Sequence, residues 1–240
     1  MNESAAQHQT VDREAWLEAR LAHLEAEKAF TRSRDELSRR RRDLPWLRIE
    51  QDYTFTGADG ELTLSDLFDG CSQLLVYHFM FGPGWEEGCP SCSFWADNYD
   101  GLAVHLAHRD TALAAVSRAP YPEIAAYRDR MGWSFPWVSS DGSSFNFDMA
   151  VSFTPSQIES GEPTYNFGTQ PFGGDEAPGV SVFTKDESGQ VNLTYQTFSR
   201  GLDMINAAYH MLDLTPKGRD EAGLPWSMAW LHRHDAYPDD

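Results

Sequence analysis

The pattern of hydrophobic and polar positions changes near residue 45. Residues 11–43 combine Ala, Leu, Glu and Arg without Gly or Pro, and Leu17, Leu21 and Leu24 recur at spacings of three and four. This pattern predicts one long helix with a narrow apolar stripe, which Pro45 ends. An apolar stripe of this kind is expected to pack against another surface. That surface is either the rest of the chain or a second copy, so a homodimer through this helix is one expectation.

Short apolar segments alternate with helical segments after Pro45. Residues 73–81 are almost continuously apolar, which is typical of a strand buried on both faces, and Gly82-Pro83-Gly84 ends the run. Further strands are predicted at 53–56, 111–117 and 137–140, with a hairpin of 180–185 and 191–198. Helices are predicted at 62–68, 90–108, 121–131 and 202–212. Residues 152–177, rich in Gly, Pro, Ser and Thr, predict a long irregular surface insertion.

The alternation of strands and helices predicts an α/β fold. We expect a mixed sheet flanked by helices, with an N-terminal helical extension. The expected division is a helical arm at 1–48, the α/β domain at 49–215 and a loop-like tail at 216–240.

Charge is distributed unevenly along the 240 residues. Residues 1–50 carry ten acidic and ten basic side chains, so the remaining 27 acidic and nine basic side chains produce the whole net charge of −18. Because the part of the chain after residue 50 is strongly acidic, it repels the phosphate backbones of nucleic acids. Nucleic acid is therefore not an expected partner. The cluster Arg39-Arg40-Arg41-Arg42 falls near the end of the predicted helix, where cations interact favourably with the helix dipole.

Hydropathy and cysteine usage favour a cytoplasmic protein. No segment has the length and apolar character of a membrane span, and the first ten residues lack the apolar core of a secretory signal. Three cysteines, Cys71, Cys89 and Cys92, are too few and too uneven in number for a disulfide scaffold.

Two of these cysteines, Cys89 and Cys92, form a CxxC motif where a buried strand passes into a helix. Pro90 suits the first helical position, because its missing N–H would have no partner there. Unpaired N–H groups at the helix start favour a thiolate on Cys89. Cys89 can attack a substrate disulfide and Cys92 can then resolve the mixed disulfide, so the pair is the candidate catalytic site.

The acidic pair Glu86 and Glu87 weakens this interpretation. Both side chains directly precede the motif, and their negative charge is expected to raise a thiol pKa. No Lys or Arg lies near them in sequence.

A metal site is the competing interpretation of these residues. Cys89, Cys92, His105 and His108 approach a zinc-finger spacing. A single helix over 90–108 would place His105 roughly 24 Å from Cys89, too far to share a metal. The run 232–235 (HRHD) is interpreted as a polar tail rather than a metal site, and no metal or cofactor is expected.

Side chains near the motif are candidates for binding the substrate. Trp85 and Trp95 flank the motif and are candidates to line a substrate groove, next to Pro90. Cys71 precedes a buried strand and is interpreted as a structural residue.

Six segments of the chain are distinctive: 78–83 (HFMFGP), 88–97 (GCPSCSFWAD), 116–120 (VSRAP), 131–133 (MGW), 135–140 (FPWVSS) and 212–216 (LDLTP). These segments resemble the bacterial thioredoxin-like proteins known only as a domain of unknown function. The resemblance implies a thioredoxin fold for the α/β domain.

The wider layout is similar to the thioredoxin and peroxiredoxin superfamily. That resemblance implies a proline, usually cis, before a strand that faces the cysteines, and Pro178 is the candidate for binding extended substrates. The chain departs from typical thioredoxins, which have Trp where Gly88 stands. It departs from peroxiredoxins, which have Thr or Ser where Glu86 stands.

Three functions remain open at this point. The first is a thiol–disulfide oxidoreductase acting on a disulfide-containing protein or a small-molecule thiol. The second is a thiol peroxidase in which Cys89 forms a sulfenic acid. The third is a non-catalytic thioredoxin-fold module that binds a partner through the helical arm.

Overall fold

The computed structural model describes residues 8–161 and 165–238. The chain forms two compact units, Met1–Pro45 and Trp46–Asp240. The first unit contains helix α1 (Arg13–Arg42), which confirms the predicted long helix. Asp12 caps α1 by accepting a hydrogen bond from the Ala15 N–H at 2.9 Å. At the other end, Arg39 pairs with Glu36 and Asp43, so part of the basic cluster is neutralised locally.

Within the described residues, the second unit is built on a mixed sheet of eight strands. The strands are β1 (Leu47–Arg48), β2 (Thr54–Gly57), β3 (Gly60–Thr63), β4 (Gln73–His78), β5 (Thr111–Ser117), β6 (Trp137–Ser139), β7 (Gly179–Lys185) and β8 (Val191–Phe198). The helices are α2 (Pro90–Ala96), α3 (Ala103–Ala107), α4 (Tyr121–Met131), α5 (Phe145–Asp148), α6 (Pro155–Ser160) and α7 (Ala207–Leu212). Short 3-10 helices lie at Asp66–Phe68, Tyr165–Gly168 and Ser199–Ile205.

The strand order is β1-β8-β7-β4-β5-β6-β2-β3. Strands β4, β5 and β6 run parallel, whereas β7 is antiparallel to β4 and β8 is antiparallel to β7. A parallel βαβ unit followed by an antiparallel hairpin beside its first strand is the thioredoxin arrangement. The predicted α/β fold class, a thioredoxin-like mixed sheet flanked by helices, is therefore confirmed.

Strand β4 lies in the middle of the sheet and is buried on both faces. Leu74 and Val76 belong to the core on one face, while Tyr77 belongs to an aromatic core on the other. This alternation explains why the run is apolar at nearly every position. The aromatic core includes Phe79 and Trp137, whose ring centroids are 4.4 Å apart.

Three predicted elements differ from the structure. The segment 62–68 is not one helix, because β3 extends through Thr63 before the 3-10 turn. The helix expected over 90–108 ends at Ala96, and a separate α3 begins at Ala103. The final helix is divided at Asn206, whose side chain caps α7 by accepting from the Tyr209 N–H at 2.9 Å.

The segment 152–177 is more ordered than an irregular insertion. Thr154 and Gln157 form a capping box that begins α6. Tyr165 is buried, and its ring packs against Phe198 of β8 at a centroid distance of 5.5 Å. Through Tyr165 the segment thereby packs against β8 before the chain enters β7.

Among the described residues, no helix combines the length and apolar character needed to cross a membrane.

Candidate functional site

The cysteine pair lies where the central strand passes into the next helix. Beyond β4 the chain continues to Met80, whose carbonyl accepts a hydrogen bond from the Cys89 N–H at 3.0 Å. Cys89 is the N-cap of α2, and Pro90 is its first residue, as predicted. Cys89 is half-buried and Cys92 is buried, and both are free thiols. Cys92 accepts a hydrogen bond at its Sγ from the Met80 N–H at 3.4 Å.

Gly88 is required by the packing immediately before Cys89. A Cβ at this position would lie 2.7 Å from Phe79 Cε1 and 2.8 Å from Tyr127 Cε1, closer than real Cβ contacts occur. The backbone that leads into Cys89 therefore packs directly on the aromatic core. This contact explains why a bulky residue such as the Trp of typical thioredoxins does not stand at this position.

The two thiols differ strongly in acidity. The Cys92 thiol donates to the Cys89 sulfur and lowers the pKa of Cys89 to about 6, with further help from the N–H groups of Cys92 and Ser91. Burial opposes this shift but does not overcome it. Burial raises the pKa of Cys92 well above its usual range, and the hydrogen bond to Cys89 adds to the effect. At neutral pH the arrangement is thus a thiolate on Cys89 beside a protonated Cys92.

Two arginines from distant parts of the chain neutralise Glu87. Arg130 of α4 pairs with Glu87, as does Arg233 at 2.6 Å. Hydrogen bonding with Arg130 holds the pKa of Glu87 below its usual range. Glu87 is therefore not an uncompensated negative charge beside the motif, because Arg130 and Arg233 are distant in sequence but adjacent to it in the fold.

Arg233 also fixes the backbone next to Cys89. Its Nη2 donates to the Gly88 carbonyl at 2.7 Å, and its Nε donates to the Tyr127 hydroxyl at 3.0 Å. The Tyr127 hydroxyl lies 2.9 Å from Ser93 Oγ, which donates to the Cys89 carbonyl at 2.9 Å. A continuous hydrogen-bond network thus connects the C-terminal segment to the first turn of α2.

Removing the charge of Arg233 should make Cys89 less acidic. In Arg233→Gln we expect the Cys89 pKa to rise by about half a pH unit, because Glu87 then retains only one cationic partner near the thiolate. Arg233→Lys should retain more of the effect. The measurement is pH-dependent alkylation of Cys89 with mass mapping.

Arg128→Gln is the matched control, because Arg128 belongs to the same helix as Arg130 and pairs with Asp129 at 3.5 Å. Equal Cys89 pKa values in Arg128→Gln and Arg233→Gln would contradict a specific effect of the Arg233 contacts.

Pro178 lies beside the cysteine pair, directly before β7. It lines the same cavity as Cys92, and its carbonyl accepts a hydrogen bond from the Tyr165 hydroxyl at 3.0 Å. The cis bond implied by the superfamily resemblance is not found, since the peptide bonds of the described residues are all trans. Tyr165, from the segment expected to be irregular, instead fixes the backbone at Pro178.

The two candidate tryptophans have different positions. Trp95 is buried, lines the cavity with Cys92 and donates from Nε1 to the Leu202 carbonyl at 2.8 Å. Trp85 lies over Gly82, where an added Cβ would be 3.0 Å from its Nε1. It is not among the residues that line the cavity. The structure therefore brings Trp95, but not Trp85, to the cavity beside Cys92.

The geometric reason given against zinc does not hold as stated, because the helix over 90–108 is interrupted. Within the described parts of the chain, no three His, Cys, Asp or Glu side chains are grouped as a metal site would require. In the 232–235 run, His234 Nδ1 lies 2.7 Å from Asp97 Oδ1 and Asp235 pairs with Arg130 at 2.7 Å. This run, interpreted from sequence as a polar tail, contacts the elements around the cysteines.

Sequence reasoning missed the residues that surround the pair from a distance. Arg233 is 145 residues from its partner Gly88, and Tyr77 reaches the Cys92 carbonyl with its hydroxyl at 3.4 Å. The only signal for Arg233 was the unusual density of charged and His residues at 232–235. No local pattern indicated that this run packs beside Cys89.

Residues 5–237 match a family profile described as "Bacterial protein of unknown function (DUF899)". Among curated proteins, none matches the sequence.

Solved structures similar to this chain include three bacterial proteins. The peroxidoxin BcpB of Mycobacterium tuberculosis is 15% identical, with a TM-score of 0.43, covering 68% of this chain and 93% of that one. The bacterioferritin comigratory protein of Xanthomonas campestris is 13% identical, with a TM-score of 0.43 and the same coverage. A thioredoxin-like protein from Bacteroides caccae is 13% identical, with a TM-score of 0.37, covering 78% of this chain and 56% of that one.

Proposed function

The chain belongs to the bacterial family described as proteins of unknown function (DUF899), and since that description states no activity, we propose a function from the cysteine pair: thiol–disulfide exchange. The observation that carries the proposal is the placement of two free thiols at the start of α2, where Cys89 is the N-cap and Cys92 lies one turn further on and lowers the pKa of Cys89 by donating to its sulfur. Cys89 is the nucleophile and Cys92 the resolving thiol.

The reaction has two exchange steps. The Cys89 thiolate attacks one sulfur of a substrate disulfide, the substrate S–S bond breaks, and the leaving sulfur takes up a proton. Cys92 then loses its proton and attacks the Cys89 sulfur, which releases the second substrate thiol and leaves a Cys89–Cys92 disulfide. An external dithiol reduces that disulfide and restores both thiols. The substrate loses one S–S bond and gains two S–H groups in each cycle.

The high pKa of Cys92 suits this order of events. While Cys89 is a thiolate, its charge disfavours a second thiolate at Cys92. Once Cys89 forms a mixed disulfide, that charge is gone and Cys92 becomes easier to deprotonate. Pro178 and Trp95, which line the cavity beside Cys92, would contact the substrate. The cytoplasm, where thiol pools keep cysteines reduced, is the expected compartment.

The test is dithiol-dependent disulfide reduction by the wild type, Cys89→Ser and Cys71→Ser. We expect Cys89→Ser to lose turnover by at least about a thousandfold, because the attacking sulfur is absent. Cys71→Ser, which removes the cysteine that precedes β4, should match the wild type. Equal rates for the wild type and Cys89→Ser would contradict the proposal. Consumption of hydrogen peroxide by the reduced protein, faster than disulfide reduction, would indicate a peroxidase instead.

A further inference from the structure

We propose that the cavity beside Cys92 is a binding site for a small, uncharged, largely apolar disulfide. The inference rests on the proposed function and names the substrate class of that reaction. It follows from the size of the cavity, its lining, its charge balance and the C-terminal segment that forms part of the lining.

The cavity is small, and the buried Cys92 thiol is part of its lining. Its volume is about 220 Å³, and Cys92 and Pro178 both line it. Sites for drug-sized ligands span about 300–1,000 Å³, so this cavity suits a smaller molecule. The Cys92 thiol, which lines the cavity, donates a hydrogen bond to the Cys89 sulfur, so a disulfide bound there lies one side chain away from the attacking thiolate.

The lining is mainly apolar and aromatic. Tyr77, Met80, Trp95 and Leu202 contribute to it from β4, the loop beyond it, α2 and the 3-10 helix before α7. Tyr77, Trp95 and Leu202 are buried residues of the aromatic core, so these walls are fixed by packing. Such a surface gains free energy when it removes apolar ligand surface from water.

Three of the four charged groups that line the cavity are held in ion pairs. Arg219 pairs with Asp203 at 3.0 Å and with Asp213 at 2.8 Å, and Arg200 pairs with Asp203 at 2.7 Å. The fourth charged lining group, Glu221, accepts hydrogen bonds at Oε1 from its neighbours in the fold.

Glu221 Oε1 accepts hydrogen bonds from the Tyr209 hydroxyl at 2.7 Å, the Met228 N–H at 3.0 Å and Trp230 Nε1 at 2.9 Å. The four lining charges, two of each sign, sum to zero. A charged disulfide would lose hydration on entry without gaining an uncommitted partner of opposite charge. The site therefore favours an uncharged molecule.

The C-terminal segment forms part of the cavity lining. Ser227 and Met228 line it, and the hydrogen bonds to Glu221 hold this stretch against α7. Glu221, Ser227 and Met228 thus form one part of the lining, and the space they leave matches the reacting end of a small molecule in size.

The reaction follows the proposed exchange. One sulfur of the small disulfide bonds to Cys89 while its S–S bond breaks, and the other sulfur leaves as a protonated thiol. Attack by Cys92 on Cys89 releases the remaining thiol. An external dithiol supplies the two electrons and two protons for the next cycle.

The test compares kcat/KM for three oxidised substrates. The first is lipoamide, which is an uncharged cyclic disulfide with an aliphatic amide. The second is glutathione disulfide, which carries net negative charge, and the third is insulin. For the wild type we expect the lipoamide value to exceed the other two by at least about tenfold. Met228→Arg and Ser227→Phe should each lower the lipoamide value by about tenfold, mainly through KM, because they enlarge residues that line the cavity.

Met211→Arg is the matched control, since Met211 is exposed on α7 and does not line this cavity. It should leave all three values unchanged. The Cys89 pKa should stay the same in Ser227→Phe, which adds no charge, and this separates loss of binding from damage to the cysteine pair.

Two results would overturn the inference. Preference for insulin or glutathione disulfide in the wild type would do so, as would lipoamide turnover that is insensitive to both cavity variants. Those results would leave the proposed exchange reaction intact. Absence of turnover with all three substrates would instead reject the proposed function, and this inference with it.

Discussion

The Cys92→Ser variant is expected to accumulate its substrate as a mixed disulfide on Cys89. The low pKa of Cys89 keeps it reactive at neutral pH, so the first exchange proceeds without Cys92. Without a second thiol the adduct has no intramolecular route to resolution. Steady-state turnover should fall by roughly a hundredfold or more, while about one adduct forms per chain.

Loss of the Cys92 hydrogen bond to Cys89 has a second consequence. That bond is the largest influence lowering the Cys89 pKa, so the pKa in Cys92→Ser depends on how well the Ser hydroxyl replaces it. The first exchange should therefore be measured over a range of pH in the variant and the wild type, so that the reactivity of ionised Cys89 is compared in both. Intact-mass spectrometry after mixing with an excess of disulfide, followed by peptide mapping, identifies the modified cysteine.

Cys89→Ser is the comparison that assigns the roles. Its remaining Cys92 is buried and has a raised pKa, so it should form adduct far more slowly. Cys71→Ser should behave as the wild type and form no stable adduct. Faster labelling of Cys92 in Cys89→Ser than of Cys89 in Cys92→Ser would reverse the assigned order of the two thiols.

The second large effect is a loss of stability in acid caused by His78. This side chain is fully enclosed on β4, with Nε2 2.8 Å from Ser181 Oγ and Nδ1 without a hydrogen-bond partner among the described residues. Burial lowers its pKa from the usual 6.5 to about 3. The unfolded chain therefore binds a proton below pH 6.5 that the folded chain does not bind until about pH 3.

The direction of the pH dependence follows from this difference. Folding stability associated with His78 is fully present above pH 6.5 and is lost as the pH falls towards 3. The slope approaches about 1.4 kcal/mol per pH unit within that window, so between pH 7.5 and 5 the loss is about 2 kcal/mol. The pKa of Glu176 is raised to about 7, chiefly by burial, and this acts in the opposite direction over pH 4.5–7.

Because other groups titrate in the same range, the prediction concerns a difference between variants. His78→Gln keeps a polar atom for Ser181 and removes the titration, so its unfolding free energy should fall by about 2 kcal/mol less than that of the wild type between pH 7.5 and 5. The measurement is urea unfolding at both pH values. His105→Gln alters an exposed histidine and should reproduce the wild-type dependence. Parallel losses in His78→Gln and the wild type would contradict the assignment.

Much of the sheet could be predicted from the sequence, because its strands carry strong local patterns. The strand at 111–117 and the helix at 121–131 agree with β5 and α4 residue for residue. In these cases a continuous apolar run or a Pro and Gly at the two ends determines the element without help from distant residues.

The end of the helix after the cysteines could not be predicted correctly, because contacts with distant parts of the chain determine it. The helix ends at Ala96, and the next two side chains form hydrogen bonds with residues far away in sequence. Asp97 accepts from Trp133 Nε1 at 2.8 Å, and Asn98 Oδ1 accepts from the Ala207 N–H at 3.0 Å. Gly101 then adopts a positive φ of 79° before α3 begins. Neither the partners nor the turn is visible in the local pattern.

By itself, the sequence determined the α/β order, the doubly buried central strand and the position of Cys89-Pro90-Ser91-Cys92 at a strand-to-helix junction. Those features depend on backbone preferences and side-chain periodicity within a few residues. Only the tertiary structure decided that Glu87 is neutralised beside Cys89, that Pro178 is trans and anchored by Tyr165, and that Glu221, Ser227 and Met228 line the cavity beside Cys92. Ion pairs and cavity walls join side chains that lie up to 145 residues apart, and chain packing alone brings them together.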